Sequence, residues 1–150
     1  GEPRMNRSER WRQAFALAGK GDASGVMYRN TGATAGHLVT VTALGAKPPR
    51  PVLTLQCHNN ITELAVMLPE PINRERVNVA LGAERAWWRV RDEGLVVSAG
   101  RGLPAIRTVL AMVREPDTRV QADVAELDGL LFDLTGYAEA IKPLRQACGW

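Results

Sequence analysis

The six apolar runs between residues 37 and 99, and the shortness of the links between them, restrict this chain more than anything else in it. HLVTVTALG (37–45), VLTLQC (52–57), ITELAVML (61–68), VNVAL (77–81), RAWWRVR (85–91) and LVVSA (95–99) are rich in Val, Leu, Thr and Trp, the composition of strands. HNN, GAE and DEG separate three of the pairs. A parallel crossover needs a dozen or more residues, usually a helix, so these neighbours must run antiparallel. The asparagines of HNN tolerate left-handed backbone and mark a hairpin. AKPPRP (46–51) and PEPINRER (69–76) are too proline-rich to continue a central strand.

Helical periods flank this block. In RSERWRQAFALAGKGD (7–22), Trp11, Phe15 and Ala18 fall at i, i+4 and i+7, with Ser8 as N-cap and Gly19 as stop. GDASGVMYRNTGATAG (21–36) reads as a loop or irregular edge anchored by Val26 and Tyr28. LPAIRTVLAMV (103–113) gathers Leu103, Ile106, Leu110 and Val113 on one apolar face, with Pro104 in the first turn. TRVQADVAEL (118–127) is a strand running into a turn, and GLLFDL (129–134) a short apolar strand. TGYAEAIKPLRQACGW closes as a helix capped by Thr135, with Tyr137, Ile141 and Leu144 inward and Pro143 kinking it or starting a second turn. The expected architecture is mainly β, an antiparallel β-sandwich or curved sheet of about eight strands with two or three short α-helices at one edge. Residues 1–36 are expected as an N-terminal helix and loop segment, and 37–150 as a single β-rich domain. The opening GEPRM reads as the scar of a trimmed start, so a native leader would lie upstream.

The 150 residues carry 19 Lys and Arg against 16 Asp and Glu, a net charge of +3. The arginines are dispersed, apart from Arg4, Arg7, Arg10 and Arg12. Nucleic-acid binding, which favours a concentrated basic stripe interleaved with aromatics, is not expected. No run approaches the ~20 apolar residues of a transmembrane helix.

Two cysteines, Cys57 and Cys148, allow one intramolecular pairing. A bridge closing so long a loop contributes roughly 4–5 kcal/mol in the chain-entropy model. It would pin Trp150 to the body of the domain and imply an oxidising compartment. The alternative is two buried thiols in a reducing one.

Catalytic machinery is sparse. Cys57 and His58 are neighbours on a strand and point to opposite faces, which disfavours a nucleophilic dyad. Asp92 and Glu93 fall in a turn. Asp123, Glu126, Asp128 and Asp133 lack the spacing of a calcium loop. Asp133, in LLFDLTG, either points outward or caps the helix start at Thr135–Gly136. No catalytic, cofactor-binding or metal site is expected. SAGRGLP (98–104) resembles a phosphate loop only superficially and lacks the Lys-Ser/Thr of one. Its Arg101 could join backbone N–H groups in a small anion-competent patch; the plainer reading is a tight turn. Trp87 and Trp88 occupy opposite sheet faces, one in the core and one on the surface. With Arg101 and Trp150 they are the candidates for a partner surface. Asn60-Ile61-Thr62 matches a glycosylation sequon, which decides little here.

The series PVLTLQCHNNITEL (51–64), WWRVRDEGLVVSAGRGLPAIRTVL (87–110) and GLLFDLTGYAEAIKPLRQACGW (129–150) resembles the VasI/TagO accessory proteins of bacterial type VI secretion systems. The match rests on Cys57, Phe132-Asp133-Leu134, Gly136 and the closing Cys148-Gly149-Trp150, and covers roughly residues 37–150. The resemblance implies an exported, periplasmic, non-enzymatic accessory module whose partner is a protein of the secretion envelope complex. Two rivals stand beside it: a cell-wall- or lipid-acting enzyme using Asp133 or the Asp123–Asp128 cluster, and a carbohydrate- or lipid-binding sandwich using the outward tryptophan.

Overall fold

A computed structural model of the chain describes residues 6–19, 25–32, 36–45 and 47–150. Arg4 of the N-terminal arginine group, the GEPRM opening and parts of the 21–36 segment lie outside these residues. The chain order is α1 (Arg7–Ala18), β1 (Val26–Asn30), β2 (His37–Thr42), β3 (Val52–His58), β4 (Ile61–Met67), β5 (Arg76–Leu81), β6 (Glu84–Arg91), β7 (Val96–Ser98), α2 (Leu103–Ala111), β8 (Asp117–Arg119), β9 (Gln121–Ala122), β10 (Leu131–Asp133), α3 (Tyr137–Ala140) and α4 (Lys142–Cys148).

Eight strands form one antiparallel sheet in the order β1-β2-β3-β4-β7-β6-β5-β9, and β8 and β10 form a separate two-stranded ribbon. The predicted hairpins are present. Asn59 and Asn60 carry the β3–β4 turn at φ 51° and 61°, and Gly82 and Ala83 carry the β5–β6 turn at φ 59° and 65°. Both are two-residue turns with positive φ, which match the twist of the flanking strands. Because β7 returns to pair with β4 as well as β6, the β5–β6 hairpin is carried to the far side of the sheet. Before β2, Gly36 adopts φ +79°, and a Cβ there would run into the Cys57 carbonyl oxygen. Only glycine lets the two backbones pass.

Burial tells the two halves of the sheet apart. β3 and β4 are buried at nearly every position, whereas β6 is exposed at most of its residues and β5 alternates. Strands covered on both sides read as continuous apolar runs, and strands covered on one side alternate. The main core joins one face of the sheet to α2, α3, α4 and the ribbon, through Val66, Val97, Val109, Met112, Phe132, Ile141 and Leu144 among others. A smaller core on the opposite face packs Trp11, Ala14 and Ala18 of α1 on Leu38, Val52, Ala65, Met67 and Val96. The helices therefore lie against the two faces of the sheet instead of at one edge, because β2–β4 offer apolar side chains on both sides.

Local details depart from the sequence reading. Asn6 caps α1, accepting from the Glu9 amide at 2.8 Å, two residues earlier than Ser8 would. The segment around Val26 and Tyr28 is a regular edge strand paired with β2. Pro143 starts a second helix: α3 ends at Ala140 and α4 begins at Lys142. The Thr135 side chain caps neither; Gly136 holds the N-cap position of α3. α2 turns Ala105, Thr108, Val109 and Met112 inward, leaving Leu103 66% and Leu110 42% exposed. The buried stripe is the one that packs closely over the Gly82 turn. An added Cβ at Gly82 would approach Met112 to 3.0 Å and Ala111 to 3.2 Å.

Candidate partner-binding face

ERAWWRVR alternates, and the alternation sorts its side chains. Trp88 is buried and Val90 half-buried, while Arg85, Trp87, Arg89 and Arg91 all point to the other face and are exposed. The antiparallel register sets Arg76 of β5 across from Arg89, and Asn78 across from Trp87. On the other side, Val96 of β7 stands across from Arg91. Val96 belongs to the small core beneath α1. The arginine face and the floor under α1 are thus one sheet surface, covered by the helix over its first half and open over the second.

Trp87 is 52% exposed, and the Arg76 guanidinium lies 4.2 Å from its ring centroid, a cation–π contact. A groove of about 820 Å³ runs alongside, lined by Arg74, Arg76, Arg89 and Arg91 together with Glu75 and Glu93. Neutral neighbours hold several of the guanidinium groups. Arg85 donates to Asn78 Oδ1 at 2.7 Å and to Gln121 Oε1 at 3.2 Å, and Arg91 Nε donates to Ser98 Oγ at 3.2 Å. Arg74 pairs with Asp123 at 3.0 Å. Among the described residues Arg76, Arg85, Arg89 and Arg91 form no ion pair with a carboxylate. Arg76, Arg85 and Arg91 are held by neutral groups.

The start of α1 extends this electropositive region. Glu63 of β4, 3% exposed, sits 3.5 Å from Arg7 Nε and 3.5 Å from Arg10 Nη2. Burial lowers the Arg7 pKa from its ordinary value; Glu63 opposes the change, and Arg91, Arg101 and Arg10 add to it. Arg91 and Arg101 are therefore within charge reach of Arg7, and the buried Glu63 carboxylate faces two cations, Arg7 and Arg10.

The four residues expected on a partner surface separate. Trp87 is on the open face. Trp88, 2% exposed, is a core residue because its position on β6 faces the main core. Arg101 is exposed in the turn before α2 and borders the region through Arg7. In its loop the Gly102 N–H is given to the Thr62 carbonyl at 2.9 Å, which leaves one donor fewer for the anion patch considered from SAGRGLP. Trp150 is half-buried against the main core, on the opposite face of the sheet from Trp87. Its indole Nε1 donates to Thr62 Oγ1 at 2.7 Å, and the Arg145 guanidinium lies 5.3 Å from its ring centroid. Sequence reasoning passed over Arg76, Arg85, Arg89 and Arg91, although the every-second-residue spacing of RAWWRVR carried the signal for three of them.

Cys57 and Cys148 are joined in a disulfide with Cα atoms 5.9 Å apart. The carboxylates considered for chemistry have structural work. Asp133 accepts from the Thr135 amide at 2.9 Å and the Thr135 hydroxyl at 2.7 Å, and these bonds lower its pKa. Asp123 accepts from the Asn78 amide and pairs with Arg74; desolvation, the largest single influence, raises its pKa, but the Asn78 and Arg74 partners together outweigh it and the net shift is downward. Among the described residues no three His, Cys, Asp or Glu side chains converge as metal ligands, and no helix is long and apolar enough to cross a membrane.

Comparison with known proteins gives one result. No curated protein and no solved structure matches the chain. The family model described as type VI secretion system VasI, EvfG matches residues 1–150, extending over the first 36 residues as well as the part from 37 on which the resemblance was read. With its whole length matched, the chain belongs to the VasI/EvfG family of type VI secretion system proteins.

Proposed function

We propose that this protein is a periplasmic, non-catalytic accessory module that helps assemble or position the type VI apparatus, docking through the Trp87–arginine face on an acidic segment of an envelope component. One observation carries the docking role: Arg76, Arg85, Arg89 and Arg91 surround an exposed Trp87 on one open sheet face without a carboxylate partner. Tryptophan and arginine are the residues in which binding energy concentrates at protein interfaces, and guanidinium groups favour carboxylates held bidentately. The Cys57–Cys148 disulfide supports the periplasmic placement, since such bonds persist in oxidising compartments.

The rival readings have weaker support. A general acid working near neutral pH needs a raised carboxyl pKa, and Asp133 and Asp123 are both shifted downward. Trp87, the tryptophan on which a sugar would stack, already holds the Arg76 guanidinium against its ring.

Affinity capture from periplasmic extract, with cross-linking, tests the proposal. Recovery of a type VI envelope component by the wild-type protein, and its loss with Arg89→Glu/Arg91→Glu, is the expected result. Capture of no secretion component, together with normal secretion in a strain lacking the gene, would overturn it.

A further inference from the structure

α2 shows the solvent a ridge at odds with its burial. On its outward side stand Leu103 and Leu110, 66% and 42% exposed, with half-buried Ile106 beside them. Arg107 lies between the two leucines on the same side, and Arg114, in the turn that ends the helix, continues the line at the next i+4 step. Arg101 precedes the helix and is exposed. From Leu95 to Arg114 the sequence contains no acidic residue; the nearest carboxylates along the chain are Glu93 before and Glu115 and Asp117 after. Among the described residues Arg101, Arg107 and Arg114 make no ion pair.

We infer that α2 is an interfacial docking element that lays Leu103, Ile106 and Leu110 into the surface of an anionic lipid bilayer, with Arg101, Arg107 and Arg114 on the phosphates. This goes beyond the partner-binding reading and uses a different element. The charge is of one sign and complements an anionic surface. The side chains are aliphatic and arginine, the composition of helices that lie in the membrane interface. A protein partner would have to supply a matching groove, whereas acyl chains and headgroups accommodate a ridge of any shape. The stems of Arg107 and Arg114 can lie along the apolar strip while their guanidinium groups reach the headgroups. A nine-residue helix with three apolar contacts gives weak, reversible association, not anchoring.

Co-sedimentation of the full chain with vesicles of phosphatidylethanolamine and phosphatidylglycerol, three to one, tests this against vesicles of phosphatidylcholine alone. The protein is expected to pellet with the first and not the second, and to be released at high salt. Arg107→Gln/Arg114→Gln should weaken the partition about 25-fold, at roughly a factor of five per arginine. Leu103→Ser/Leu110→Ser should weaken it as well, with the melting temperature held because these side chains are exposed. Should the serine pair unfold the protein, the glutamine pair still decides. Equal pelleting with both vesicle types, no pelleting with either, or full binding by the glutamine pair would overturn the inference. So would loss of binding in Arg89→Gln/Arg91→Gln alone, which would move the lipid contact to β6, or a self-association abolished by Leu103→Ser/Leu110→Ser, which would make the ridge a protein contact. Each of these results leaves the capture experiment on the Trp87 face to be judged separately.

Discussion

The indole of Trp150 donates a 2.7 Å hydrogen bond to the hydroxyl of Thr62, 88 positions earlier in the chain. Thr62 stands directly across the β3–β4 hairpin from Cys57, whose sulfur is bonded to Cys148. The disulfide and the indole thus fasten the last helix to one point of the sheet, and Leu144 and Ile141 complete the contact in the main core.

The first prediction follows from this double attachment. Reduction of the disulfide should destabilise the protein by roughly 4–5 kcal/mol, a fall in melting temperature of about 10 °C or more for a domain of this size. Trp150→Ala should cost about 2 kcal/mol through lost burial and the lost hydrogen bond. Intact-mass analysis after alkylation checks the bond itself. Two modified thiols in the native, unreduced protein would contradict it.

A second prediction concerns the buried carboxylate under α1. Glu63 is 3% exposed, and Arg10, 7% exposed, lies beside it. Glu63→Ala would remove the carboxylate that faces buried Arg10 and half-buried Arg7, at a cost of about 3–5 kcal/mol. Denaturant unfolding measures it. Because Trp11 is anchored on the same helix, its fluorescence should report loosening of α1 before the global transition.

A third prediction is alkaline. Tyr137 is buried and its hydroxyl donates to the Val109 carbonyl at 2.8 Å; burial raises its pKa above the ordinary value, with Arg145 opposing slightly. A group whose folded pKa is raised holds its proton in the native state longer than in the unfolded one. Its contribution is complete below pH about 10 and declines as pH rises beyond that. Stability should therefore fall above pH about 10, and Tyr137→Phe should flatten that fall while costing about 1 kcal/mol at neutral pH. A pH series of denaturant midpoints for both proteins is the check.

The hairpins, the disulfide and the inward face of the last helices were legible in the sequence because each rests on local chemistry or on a pairing with a single option. Asn59-Asn60 fixes a turn by itself, two cysteines have one partner each, and Tyr137, Ile141 and Leu144 are the only large apolar stripe of their segment. α2 misled because it has two apolar stripes. Periodicity groups Leu103, Ile106 and Leu110, but which stripe meets the sheet depends on the closeness of the Gly82 turn, a tertiary matter. The binding face was half legible. Trp87 and the alternating arginines of β6 are visible in RAWWRVR, whereas Arg76 and the edge of α1 reach the same surface only through strand register and the return of β7 between β4 and β6. Trp87 and Trp88 could not be told apart, since alternation assigns opposite faces without saying which one is covered.

The docking role of the open face is tested most directly by complementing a strain that lacks the gene with Trp87→Ala/Arg89→Glu/Arg91→Glu and measuring type VI secretion. All three side chains are exposed, so the variant should melt within a few degrees of the wild type. The account predicts secretion reduced to the level of the deletion strain by a folded, disulfide-bonded protein. Wild-type secretion by that same folded variant would contradict it.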